Sequence, residues 1–287
     1  MPLDAGVLAL VLLAAALHAT WNALVKAGGD RLVMTTLVML APAPVSLVAL
    51  TVLPPLNPAA WPYLLASTVI HYIYYGLLIG AYRHGDLSQV YPIARGAAPA
   101  LVAVEAWVFA GESLRLAEAV GVVVVSAGIM SLAWRQGGQG AARRDGEAQA
   151  VGLALLNGVA ISAYLLADGL GVRNAGHALS YICWLYILEA LPLLGFTLWR
   201  RRGRVRAAFA PHMKNGLMGG SLAAVSYGIT LWALTLGPMA QIVALRETSV
   251  LFGAALGTLA LKEPFGRRRI AAAAVIAGGA VLLNLRA

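Results

Sequence analysis

The chain has 287 residues, 60% of them hydrophobic and only 11% Asp, Glu, Lys or Arg, against roughly 45–50% and 25% in ordinary soluble domains. With a mean hydropathy of +0.78 there is too little charge to solvate a surface, which excludes a soluble globular fold and makes lipid the natural solvent for most side chains. The net charge of +9 does not by itself imply nucleic-acid binding, which needs a continuous basic face; where the charges sit decides.

From Ala5 onward the chain is apolar with no basic segment ahead of it, so no cleaved signal peptide is expected. Apolar runs of about 17–25 residues bounded by charge, Pro or Gly predict ten membrane helices. Five fall near 5–25, 32–53, 61–82, 87–109 and 115–134, and five near 150–170, 177–199, 214–236, 239–261 and 269–285. The polar stretch 135–149, with Gly137, Gly138, Arg143, Arg144 and Asp145, joins the two sets, and Gly237-Pro238 is the turn between spans 8 and 9. The single cysteine, Cys183, lies in an apolar run and reads as a packing residue.

Lys and Arg in short loops mark the cytoplasmic side. Of the 21 basic residues, sixteen lie in the odd-numbered loops, three in the termini and even-numbered loops, and two, Arg95 and Arg246, inside spans. The surplus charge is therefore a record of sidedness, and it predicts that both termini face away from the cytoplasm. The run Arg200 to Arg206 reads as a topology determinant, with anionic lipid contact as its secondary reading.

The two halves match in order. At a spacing of 152, Tyr75-Gly76 falls on Tyr227-Gly228, Gly85 on Gly237 and Gln89 on Gln241; at 151, Arg95 falls on Arg246, Glu112 on Glu263 and Gly128 on Gly279. One single-residue gap near Pro92 reconciles the two sets. Because each half has an odd number of helices, the second enters the membrane from the opposite side. Inverted repeats build two gates from the same parts around a central site, the arrangement of secondary transporters.

Three segments of the first half, His18-Ala-Thr-Trp21-Asn22 with Lys26, Tyr91-Pro92-Ile-Ala-Arg95-Gly96-Ala-Ala-Pro99 and Gly111-Glu112, and two of the second, Arg246-Glu247-Thr-Ser249 and Lys262-Glu263, resemble one family. It is the ten-helix, EamA-type branch of the drug/metabolite transporter superfamily, and within it the bacterial amino acid exporters that include one for aromatic amino acids. The resemblance implies an all-α polytopic membrane protein, with ten transmembrane helices as two inverted five-helix repeats around a central cavity. The repeats would be 1–134 and 150–287, the linker 135–149, and the cavity lined mainly by spans 1, 3, 4, 6, 8 and 9. It also implies termini inside the cell, opposite to the charge count, which is kept here.

Ionisable groups inside a membrane are costly and are functional candidates by default. Arg95 stands about eight residues into span 4, roughly 12 Å deep at 1.5 Å per residue, between Pro92 and Pro99. It can bond carbonyls that the prolines free, or hold a substrate carboxylate. Arg246 is similarly deep from the other end, with Glu247 as a neighbouring counter-charge. His71, Tyr74, Tyr75 and Tyr82 follow 3–4 residue spacing on span 3, so they form one aromatic wall or simply pack. Trp21 and Asn22 on span 1, Tyr91 on span 4, Tyr164 on span 6, and Tyr227 and Trp232 on span 8 complete the candidate cavity. Asp168 is noted on span 6, while Glu105 and Glu189 receive no role. Glu112 and Glu263 precede spans 5 and 10, where a carboxylate favours the positive helix end. Spans 5 and 10, rich in Gly, Ala and Val, read as a scaffold or dimer face.

The expected activity is export of amino acids, aromatic or otherwise apolar, and of related small metabolites across the cytoplasmic membrane by alternating access. The expected partners are that small-molecule substrate, membrane lipids and a second copy of the chain; no nucleic acid, cofactor or metal is expected. The alternative is a proton-coupled antiporter for cationic drugs, which would draw on Asp168, Glu189, Glu105 or Glu247. An intramembrane enzyme ranks last, since the sequence has no His-Glu-x-x-His, Gly-x-Ser-x-Gly or phosphate-cradling Gly-Lys-Ser/Thr pattern.

Overall fold

The computed structural model describes residues 3–26, 30–84, 87–133, 147–261 and 267–285. Within them the chain forms helices α1 (Ala5–Lys26), α2 (Arg31–Leu40), α3 (Ala43–Ala49), α4 (Trp61–His84), α5 (Leu87–Ala110), α6 (Leu116–Ser131) and α7 (Glu147–Asn174). Then follow α8 (Ala178–Arg200), α9 (Val205–Phe209), α10 (Met213–Ala233), α11 (Met239–Glu247), α12 (Ser249–Leu261) and α13 (Arg267–Leu282). In hydrocarbon a backbone must satisfy its own hydrogen bonds, which is why these apolar runs are helical throughout. The linker 135–149 lies outside the described residues except for its last three, which open α7; Glu263 lies outside them as well.

Ten transmembrane helices result, because α2 with α3 and α11 with α12 each complete one span, while the five-residue α9 only connects. Each of the two composite spans, expected as one continuous helix, is interrupted for a local reason. Pro42 lacks the N–H that would continue α2 and its ring crowds the preceding turn. At Thr248 the backbone N–H bonds Leu245 O at 3.1 Å and the side-chain hydroxyl bonds the same carbonyl at 2.6 Å, a tighter turn than an α-helix makes.

The packing follows a two-fold rule. Helix α4 lies on α7 as α10 lies on α1; α5 lies on α7 as α11 and α12 lie on α1; α4 meets α8 as α10 meets α2. Of the remaining principal contacts, α5 with α11, α6 with α13 and α2 with α8 pair an element with its own counterpart, while α5 with α6 joins neighbours within the first repeat. Five helices per repeat give the second repeat the opposite orientation, so the fold is two inverted repeats.

Helices α6 and α13 approach through glycines. A Cβ on Gly279 would stand 2.9 Å from the Val125 nitrogen, and one on Gly128 2.7 Å from Ile276 Cγ1. Gly278, one residue away, has open space. Gly279→Val is expected to destabilise the protein by about 1–3 kcal/mol, the usual range for overpacking, while Gly278→Val leaves it unchanged; thermal unfolding in detergent by tryptophan fluorescence compares the two.

Candidate functional site

The prolines Pro92 and Pro99 flank Arg95 in α5, and the Thr248 turn follows Arg246 and Glu247 directly in α11. These two irregular helices meet at the centre of the bundle. Arg95 and Arg246 are each 4% exposed and Glu247 is wholly buried. Arg95 Nη2 lies 2.7 Å from Glu247 Oε1, while the Arg246 Nη1 of the same helix is 3.6 Å from that oxygen. The pair thus crosses from one repeat to the other.

His18 of α1 sits between the two guanidinium groups. Its Nδ1 is 3.2 Å from Arg246 Nη2 and accepts from Trp21 Nε1 at 3.2 Å, and its Nε2 is 3.3 Å from Arg95 Nη2. A neutral imidazole has one acceptor nitrogen. With Nδ1 assigned as that acceptor, the Nε2 proton faces a guanidinium, donor against donor. Arg95 Nε and Arg246 Nε and Nη1 have no hydrogen-bond partner among the described residues, and the short Arg95–Glu247 contact is a charge contact without hydrogen-bond alignment. Two cations and one carboxylate leave the centre with a positive excess and donors to spare.

An aromatic layer adjoins this centre. The Arg246 Cζ is 5.4 Å from the Tyr227 ring centroid and the Arg95 Cζ is 6.0 Å from that of Tyr91. The Tyr164 ring stacks on His71 at 3.9 Å and stands edge to face with Tyr74 at 5.8 Å and Tyr227 at 6.5 Å. Beyond the rings lie two buried acids. Asp168 accepts hydrogen bonds from Tyr181 at 2.9 Å and Tyr227 at 2.5 Å, and Glu189 Oε1 is 3.1 Å from His71 Nδ1.

The cluster therefore draws on α1, α4, α5, α7, α10 and α11, the structural counterparts of spans 1, 3, 4, 6, 8 and 9, and also on α8 of span 7, which supplies Tyr181 and Glu189. Of the candidate residues it gathers His71, Tyr74, Tyr91, Arg95, Tyr164, Tyr227 and Arg246, with Trp21 reaching it through His18. Asn22 is instead bound to its own helix, its Nδ2 donating to His18 O at 2.7 Å. Tyr75 turns from the centre, donating to Met39 Sδ at 3.4 Å while its ring touches Tyr74 and Tyr72, so the expected aromatic wall splits. Trp232 is 40% exposed on the outside of the bundle; five residues from Tyr227, it lies about 140° round the helix. The Tyr82 side chain lies outside the described residues. His18, Asp168, Glu189 and Glu247 join the cluster without having been among the candidates, although each is an ionisable group inside a span.

Ion pairs tie the repeats at both faces. Arg173, at the end of α7, is bound by Glu112 Oε1 at 2.6 Å and donates to Leu234 O at 2.7 Å and Gly237 O at 2.8 Å. Glu112 Oε2 accepts the Met239 N–H at 2.8 Å. Glu112 therefore caps α11 of the other repeat; the start of α6 is served by Glu118, which binds the Arg115 N–H at 2.9 Å and its guanidinium at 2.7 Å. On the opposite face Arg201 holds Asp30 at 2.5 Å.

Two inverted five-helix repeats with a buried polar centre between them are the architecture of a membrane transporter. The family model of the EamA-like transporter family matches residues 5–134 and 148–285, and the chain belongs to that family. A solved structure titled "Crystal structure of protein" is similar at 18% identity and a TM-score of 0.75, over 98% of this chain and 99% of that one, a likeness of fold. No curated protein matches.

Proposed function

We propose that the protein exports amino acids, aromatic or otherwise apolar, across the cytoplasmic membrane by alternating access, with both termini outside the cytoplasm. The observation that carries this reading is the pair of buried guanidinium groups sharing one carboxylate beside a layer of tyrosines. A substrate carboxylate would fill the free donors of Arg246 through a charge-assisted contact, and an apolar side chain would lie against Tyr164 and Tyr74. Exchange of conformation between the two repeats would then open the centre to either side.

Uptake into liposomes of labelled aromatic, branched and sulfur-containing amino acids tests the substrate class. Transport of at least one group is expected, with Arg246→Gln lowering it at least tenfold while the protein stays monodisperse. Absence of transport for every amino acid would overturn the reading. Reporter fusions at Ala287 test the orientation, and cytoplasmic reporter activity there would reverse it.

The buried acids Asp168 and Glu189 favour a second reading, an antiporter of cationic drugs. It ranks lower because Arg95 and Arg246 repel a cation lacking a carboxylate. Transport of a lipophilic cation, with amino acids inert, would put it first.

A further inference from the structure

The run Arg200 to Arg206 takes no part in the site at the centre of the bundle. Fixing the topology needs only charge in a loop, and an unstructured loop would supply it. This loop is folded. The Arg204 N–H closes a turn on Arg201 O at 2.9 Å, Gly203 takes a positive φ of 77° that suits glycine, and α9 follows at Val205. Phe209, at the end of α9, is buried against Val33 and Leu37 of α2, so the segment is pinned to the bundle. Arg201 adds a second anchor through its ion pair with Asp30.

The anchoring leaves Arg200, Arg202, Arg204 and Arg206 exposed. Residues 196–218 contain six Lys and Arg and no Asp or Glu, and among the described residues none of these four arginines has a carboxylate at ion-pair distance, since Asp30 is taken by Arg201. One of them is oriented. The Arg202 Cζ lies 5.7 Å from the centroid of the Trp199 ring, and its Nε donates to Trp199 O at 3.2 Å, the guanidinium's one hydrogen bond among the described residues. Trp199 in turn meets the Phe196 ring at 6.0 Å. Three residues apart, Phe196 and Trp199 share a face of α8, and both rings are exposed on the outside of the bundle. Phe196 stands about 6 Å below Arg200 at 1.5 Å per residue. A stripe of exposed aromatic rings therefore rises along the end of α8 and finishes in free guanidinium donors, with a tryptophan at the level where such rings meet lipid headgroups.

We propose that the end of α8 and the turn into α9 form a binding site for one anionic phospholipid. Arg202, held in place by the Trp199 ring, meets the headgroup phosphate through charge-assisted hydrogen bonds, and Arg200 and Arg204 supply the neighbouring positive charge. An acyl chain lies along Trp199 and Phe196. The surface selects its occupant by joining two chemistries: a free phosphate or an acidic protein segment would meet the arginines and leave the rings bare, whereas a phospholipid covers both. The preference for an anionic over a zwitterionic headgroup follows from the cations left without a counter-charge. This site is independent of the amino acid reading, which neither supports it nor depends on it.

The test is titration of the purified, delipidated full-length protein in detergent with phosphatidylglycerol whose acyl chains are brominated, since bromine quenches tryptophan fluorescence on contact. Saturable quenching is expected, with an affinity about tenfold above that for brominated phosphatidylcholine, as several uncompensated cations meeting one further negative charge allow. In Trp199→Phe, which keeps a ring at the exposed position, the saturable part of the quenching is expected to disappear. The triple variant Arg200→Gln, Arg202→Gln, Arg204→Gln is expected to bind the two lipids equally. Its control is Arg135→Gln, Arg143→Gln, Arg144→Gln, which removes the same charge from the linker 135–149 and is expected to keep the preference. Glycerol phosphate, the headgroup chemistry without chains, is expected not to displace the lipid. Equal affinity of the unaltered protein for the two lipids, saturable quenching that survives Trp199→Phe, an equal loss in the linker variant, or displacement by glycerol phosphate would each overturn the proposal. Should the arginine variant fail to fold, the comparison of the two lipids and the Trp199→Phe result still decide it.

Discussion

Glu247→Gln is expected to lower the stability of the protein by about 3–5 kcal/mol, the range for removing one partner of a buried ion pair. Glu247 is wholly buried and is the carboxylate shared by Arg95, at 2.7 Å, and Arg246, at 3.6 Å. Glutamine keeps the shape but leaves both guanidinium groups without a counter-charge, against a His18 ring that already faces both. The bridge also joins α5 to α11 across the repeats, so its loss removes a specific tie at the centre. The double variant Arg95→Gln, Glu247→Gln removes one cation together with the carboxylate, and it is expected to recover about half of the loss. Unfolding of each variant in mixed detergent micelles, arranged as a double-mutant cycle, gives the coupling energy. Equal stability of Glu247→Gln and the unaltered protein would show that the ion pair contributes nothing to holding the repeats together.

The spans, their number and the repeat are legible in the sequence because each depends on a local run or on self-similarity. Arg95 and Arg246 are legible for a further reason: a charge in an apolar run stands out wherever it points. Partners are another matter. The neighbour of Arg246 in sequence is Glu247, yet Glu247 lies closer to Arg95 in the other repeat, a choice made by which helices cross at the centre. Glu112 is placed correctly at a helix start by its position, but the helix is α11 and not α6. Trp232 shares a span with Tyr227 and not a face. In a membrane helix both faces are apolar, so periodicity does not separate the lipid side from the core as it does in a soluble amphipathic helix. Asp168 and Glu189 show the same limit, since burial of an acid beside tyrosines requires knowing that α4, α7, α8 and α10 converge. The rule that intramembrane acids are functional by default identifies both without that knowledge.

Glu112→Ala is expected to loosen the face of the protein closed by Arg173, speeding modification of a buried thiol there about tenfold. Arg173 binds Glu112 of the first repeat and the carbonyls of Leu234 and Gly237 of the second, and Glu112 holds the first N–H of α11. Removing the carboxylate costs one partly exposed ion pair and one helix cap, together about 1–2 kcal/mol, and tenfold in an opening equilibrium corresponds to about 1.4 kcal/mol. Ala240, 1% exposed and next to Met239, is a suitable reporter as Ala240→Cys. Cys183 is the chain's single cysteine and is buried, so Cys183→Ser removes the background. The rate of labelling by a small water-soluble maleimide, with and without Glu112→Ala, reads the opening. A reporter on the other face, near the Arg201–Asp30 pair, separates two outcomes. Faster labelling at Ala240→Cys with slower labelling at the second reporter means that closing one face is coupled to opening the other, as alternating access requires. Faster labelling at Ala240→Cys alone means local fraying at Glu112, and the ion pair would then be a brace and not a gate.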